Sequence, residues 1–175
     1  IVLPTHRVLG GMKDYSFEKF AQASAGKLVI KPFQGTMAEL EAALPDAGPH
    51  AMGLYDPKAG LHIATTVDSD PLKDSHGNMS EAWRQLDVAV LQHLIVEGIC
   101  EPTFCNGGKV TWKFPHDLDE TQKVTDSENF DLGVIMQATP IESIGAVCSS
   151  GELMPQKSTF FYPKLATGLA INPVA

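Results

Sequence analysis

Hydrophobic and polar positions alternate or repeat in a regular order along this chain. IVLPTHRVL opens as a short apolar strand broken by Pro4, which has no N–H for a ladder and places the segment at an edge or strand end. Ser16 precedes SFEKFAQAS, where Phe17, Phe20 and Ala21 share one helical face, so a capped helix is predicted. KLVIKPF (27–33) reads as a strand. Thr36 and Glu39 have the spacing of a capping box for TMAELEAAL, which Pro45 should end. Two apolar runs, 50–55 and 61–67, flank Asp56-Pro57-Lys58-Ala59-Gly60 and predict a hairpin. DSDPLKDSHGNMS (68–80) is polar and rich in breakers, so an exposed loop is expected.

The most strongly periodic stretch is LDVAVLQHLIVEG. Val90, Leu91 and Leu94 form its apolar stripe, Asp87 is the expected N-cap, Leu86 and Leu91 can staple its start, and Gly98 is the expected stop. KVTWKF alternates as a strand, and FDLGVIMQA is a nearly unbroken apolar run suited to a central strand. Thr139-Pro140-Ile141-Glu142 should open a further helix that stops near Gly151. The expectation is one domain over residues 1–175, α+β, with a mixed, largely antiparallel sheet and about four packed helices.

Composition narrows the function classes. Thirteen basic against 21 acidic residues give a net charge of −8, which disfavours a nucleic-acid partner. The three cysteines form no CxxC pair and have no nearby histidine in zinc spacing, so no metal site is expected; reduced thiols suit a cytoplasmic protein. No apolar run approaches the roughly 20 residues of a membrane span. P-loop, Rossmann, zincin and nucleophile-elbow motifs do not occur.

Candidate chemistry concentrates in two short segments. Lys157-Ser158-Thr159, in MPQKSTFFYPK, offers an ammonium and two hydroxyls behind Pro155. Such donors suit a phosphate, and they equally suit a rigid polar turn. In PTHR, His6 and Arg7 are adjacent, so on a strand they face opposite sides and line one cavity only if the strand bends. Asp87 has the position of a cap, with metal ligation or base chemistry as the alternative. The remaining histidines show no ligand spacing, and Phe160, Phe161 and Tyr162 suit packing or base stacking.

IVLPTHRVL, LDVAVLQHLI and GELMPQKSTFFYPKLATGL, in that order, resemble the C-terminal half of the family called domain of unknown function 1015. The resemblance spans essentially the whole chain. It implies a longer protein whose upstream half carries a GHHR-type segment similar to ParB-like and sulfiredoxin-like nucleotide-binding proteins; no adjacent histidines occur here. It also implies a link to kinases of free serine that use ATP or ADP with Mg2+. Lys157, Ser158, Thr159, His6, Arg7 and Lys164 are then the phosphate or nucleotide candidates, at a seam with an N-terminal half that holds the main catalytic motif. The alternative is a non-catalytic binding or structural module.

Overall fold

The computed structural model describes residues 1–127 and 129–163. Strands β1 (Val2–Leu3) and β2 (Arg7–Gly10) are separated at Pro4, as a missing ladder donor requires. Helix α1 (Phe17–Ala23) leads to β3 (Leu28–Pro32), and α2 (Met37–Ala43) leads through a short 3-10 turn to β4 (Met52–Asp56) and β5 (Gly60–Thr66). After the long loop come α3 (Glu81–Arg84) and one continuous helical rod. That rod is α4 (Asp87–Val90), a π-helical stretch Leu91–Cys100, and α5 (Glu101–Phe104). The chain closes with β6 (Thr111–Lys113), α6 (Leu118–Thr125), β7 (Phe130–Ile135), α7 (Ile141–Ser149) and β8 (Phe160–Phe161).

Six strands form one antiparallel sheet in the order β3-β5-β4-β7-β2-β6, and β1 pairs with β8 in a separate ribbon. This is the expected α+β class, with more helical segments than the sequence pattern resolves. Strand alternation sorts side chains into two cores. Leu9, Met52, Leu54, Leu132 and Val134 join the larger core under α1 and the rod; Ile135 packs with Leu40 and Leu44 on the opposite face. The sheet is therefore covered on both sides.

Local signals hold where the residues satisfy themselves locally. Ser16 accepts from the Lys19 N–H, and Thr36 with Glu39 forms the full reciprocal capping box. Asp56 Oδ1 accepts from both Lys58 N and Ala59 N at 2.8 Å and closes the hairpin turn. Three local expectations change. Leu86, not Asp87, occupies the cap of α4. Pro140, not Thr139, caps α7, and the Thr139 hydroxyl instead donates to the Ser158 carbonyl at 2.8 Å. Gly98 does not stop the helix: the wider π hydrogen-bond pattern carries the rod past it, with Glu101 N–H donating to the Val96 carbonyl.

Helix α6 has no apolar stripe to announce it. Its buried positions are Thr121 and Thr125, whose hydroxyls donate to the carbonyls of Asp117 and Thr121 at 2.7 Å. The helix comes close to the sheet at Gly133, where an added Cβ would lie 2.7 Å from Thr125 Oγ1.

The register of β2 against β7 shifts between Leu9 and Gly10, leaving Asp131 as an extra residue that accepts from Met12 N at 3.1 Å. Gly10 is required there. A Cβ at this position would overlap the Asn129 carbonyl oxygen and lie 2.9 Å from Phe130 Cδ1. Gly10→Ala should therefore lower stability by about 1–3 kcal/mol, because the obstructing atom is backbone. Urea denaturation of the two proteins checks this, with a fall in midpoint at unchanged slope expected.

Candidate functional site

Arg7 lies on the Leu9 face of β2, and its side chain is drawn inward beneath the C-terminal segment. Only 4% of the residue is exposed. Its Nη1 donates to the Thr5 carbonyl and its Nη2 to the Lys157 carbonyl at 2.7 Å. The guanidinium carbon sits 6.0 Å from the centre of the Phe114 ring. Among the described residues, no carboxylate forms an ion pair with it. Burial lowers its pKa to about 10, so it remains a cation at neutral pH.

His6 points to the other face. The Met136 N–H donates to its Nδ1 at 3.2 Å, and its Nε2 faces Glu41 Oε1 at 3.6 Å. Burial, reinforced by the charge of Arg7, brings its pKa down to about 4. His6 is thus a neutral imidazole that accepts a backbone hydrogen bond.

Lys157 is exposed and has a left-handed backbone, φ 58°. Its carbonyl is the one that Arg7 grips. Ser158 is engaged in the turn itself: its hydroxyl donates to the Pro155 carbonyl, while its own carbonyl accepts from Thr139. Lys164 lies outside the described residues.

Three cavities surround this junction. One of about 740 Å3 is lined by Lys157, Thr159, Thr5, His116, Phe160 and Tyr162, among others. Its aromatic wall includes His116 stacked on Phe160, with centroids 4.3 Å apart. A second, of about 410 Å3, has Arg7, Trp83, His93, Glu97, Trp112 and Phe114 among its lining residues. A third, of about 390 Å3, holds His6, Glu41, His116 and Asp117. The structure therefore brings PTHR and PQKST into direct contact, yet Arg7, His6 and Lys157 line different cavities. The opposed faces of a strand account for the separation of His6 from Arg7.

Sequence reasoning did not find the second cavity. Trp83 comes from α3, with its Nε1–H donating to the Leu153 carbonyl at 3.1 Å, and Trp112 comes from edge strand β6. Gln92, His93 and Glu97 come from the π-helical stretch. Gln92 Nε2 donates to Glu97 Oε1 at 2.7 Å, and His93 Nδ1 donates to Glu97 Oε2 at 2.8 Å. Burial opposes ionisation of Glu97, but these bonds from Gln92 and His93 outweigh it and hold its pKa below the usual value. The i, i+5 pairing of Gln92 with Glu97 fits π geometry, which the α-helical pattern of the sequence does not predict.

Asp87 has a different partner from either expected one. His50 Nδ1–H donates to Asp87 Oδ1 at 2.8 Å, and His50 Nε2 faces the Ser69 carbonyl at 3.3 Å. The pair ties the entry of β4 to the start of α4. Among the described residues, no group of three or more His, Cys, Asp or Glu could hold a metal ion, and no helix is long and apolar enough to cross a membrane.

Comparison with known proteins gives a likeness of fold. No family model and no curated protein matches this chain. Among solved structures, the chain is similar to a free serine kinase in complex with AMP. The TM-score is 0.51 at 14% identity, covering 91% of this chain and 52% of that one. A mutant free serine kinase in complex with ADP gives a TM-score of 0.47 at 16% identity, with 53% of that chain covered. The chain thus spans about half the length of the solved structures it matches.

The His50–Asp87 pair predicts a pH dependence. Burial lowers the pKa of His50, but the Asp87 hydrogen bond and charge, with Ser69 and Asp70, outweigh this and raise it above 6.5. A raised histidine stabilises the fold fully below its unfolded value of about 6.5, and this contribution is lost as pH rises through the folded value. Asp87→Asn should cost about 1–3 kcal/mol at pH 6 and distinctly less at pH 9. Thermal unfolding of both proteins at the two pH values checks it; an equal cost at both would contradict the pairing.

Proposed function

We propose that this chain contributes to a nucleotide-dependent kinase acting on a small molecule of the free-serine kind, and that it belongs with the family called domain of unknown function 1015. In this reading the main catalytic motif lies in another half of the protein. The observation that carries it is the hydrogen bond from Arg7 to the Lys157 carbonyl, spanning 150 positions. It joins the two segments whose residue types suit phosphate, and Lys157 is among the residues lining the 740 Å3 cavity. The likeness of fold to a free serine kinase supports the same reading.

Within that cavity each part has a task. The Lys157 ammonium and Thr159 hydroxyl would meet phosphate oxygens as point charge and donor. Phe160 and His116 would offer flat faces to a base. Mg2+ would arrive with the nucleotide, held by phosphate oxygens and water, to neutralise charge that develops on the transferring group. Arg7 would act by position, fixing the backbone from which Lys157 projects.

A second reading has its own support. Ser158 bonded to Pro155 and Thr139 bonded to Ser158 make PQKST a closed turn. That is what a purely structural lock requires. Calorimetric titration with ADP and ATP in the presence of Mg2+, on this chain and on the longer protein, separates the two. The kinase reading expects binding that Lys157→Ala weakens at least about ten-fold, or about 1.4 kcal/mol. Absence of binding by the longer protein, or an unchanged affinity in the variant, would leave the structural lock.

A further inference from the structure

The 410 Å3 cavity lined by Arg7 is otherwise built from groups that the proposed nucleotide site does not use. A guanidinium that is 4% exposed and forms no carboxylate ion pair among the described residues is costly to bury. Two carbonyls satisfy part of its donor set but leave its charge uncompensated. Phe114 lies near the guanidinium, and Trp112 stacks parallel to Phe114 at 5.9 Å with an interplanar angle of 2°. Trp83, already packed against His76 and His93, completes the lining. The lining also carries the carboxylate of Glu97, whose charge the bonds from Gln92 and His93 do not remove, so an anion is accepted only where it meets the Arg7 guanidinium.

We infer that this cavity binds a small aromatic anion, with its phosphate or carboxylate against Arg7 and its ring against the wall formed by Trp112 and Phe114. Arg7 supplies a planar, permanently charged fork, which suits both anions. The aromatic surfaces supply a stacking partner for a ring and exclude water from the ion pair. A ligand lacking either half would leave one half of the site unanswered. The inference stands apart from the kinase reading, because Lys157 and Thr159 line the other cavity.

The chain has two tryptophans, and both line this cavity, so its intrinsic fluorescence reports occupancy directly. The intact chain is titrated with phenyl phosphate, benzoate, inorganic phosphate and phenol. Saturable emission changes are expected with phenyl phosphate and benzoate, and the tighter of the two identifies the preferred anion. Phenol and inorganic phosphate should each bind at least about ten-fold more weakly. Arg7→Lys keeps the charge but loses the fork, and should weaken phenyl phosphate by about ten-fold. Because Arg7 also ties Thr5 to Lys157, Phe114→Ala serves as an independent variant, with a similar loss expected in a protein shown by circular dichroism to remain folded. No saturable change up to about 10 mM would overturn the inference. So would phenol or inorganic phosphate binding as tightly as phenyl phosphate, or a folded Phe114→Ala that binds like the parent chain.

Discussion

A buried guanidinium governs the arrangement of the candidate site. Arg7 leaves the second strand and grips two carbonyls, one beside it in sequence and one 150 positions away. A carbonyl can accept part of the proton density of an arginine but cannot neutralise it. The C-terminal segment is therefore held against the sheet by donors whose charge is left uncompensated. Lys157 adopts a left-handed backbone, Ser158 closes onto Pro155, and the aromatic run that follows is delivered to β1. Arg7 lines one cavity, and the residue whose carbonyl it grips, Lys157, lines another.

The sheet explains why neighbouring residues act apart. His6 and Arg7 share a peptide bond but not an environment. One accepts a hydrogen bond from the Met136 amide and stays neutral; the other remains cationic although buried. An adjacent basic pair looks like a single phosphate grip only until strand geometry is imposed. The same alternation divides Met52 and Leu54 from the opposite core around Leu40 and Ile135.

The elements legible in the sequence were those that satisfy themselves within a few residues. The capping box at Thr36, the Asx turn at Asp56, the break at Pro4 and the apolar run of β7 belong to this group, and together they suffice for the α+β class. The unreadable features depend on distant partners. Asp87 looks like a cap until His50, 37 positions earlier, is seen to face it. Thr139 looks like a cap until Ser158 accepts its hydroxyl. Helix α6 buries threonines in place of an apolar stripe, so periodicity had nothing to register. The π-helical stretch has an α-like pattern, yet only its wider turn pairs Gln92 with Glu97. Of the candidate site, the sequence supplied the two segments but neither their contact nor the Trp-lined cavity.

The ribbon of β1 and β8 has a consequence for how the molecule assembles. Ile1 and Tyr162 exchange two backbone hydrogen bonds, of 2.9 and 3.0 Å, across 161 positions. A contact of that span must meet the entropy of closing nearly the whole described chain, unless the intervening residues have already folded and brought its ends together. The six-stranded sheet does bring them together, so the ribbon is placed to form after the sheet and to open before it. The wall of the 740 Å3 cavity that Ile1, Phe160, Phe161 and Tyr162 supply depends on this ribbon. Loss of the ribbon would dismantle ligand-facing surface while the two cores stayed intact, which makes site assembly a separate and lower-energy equilibrium from global folding.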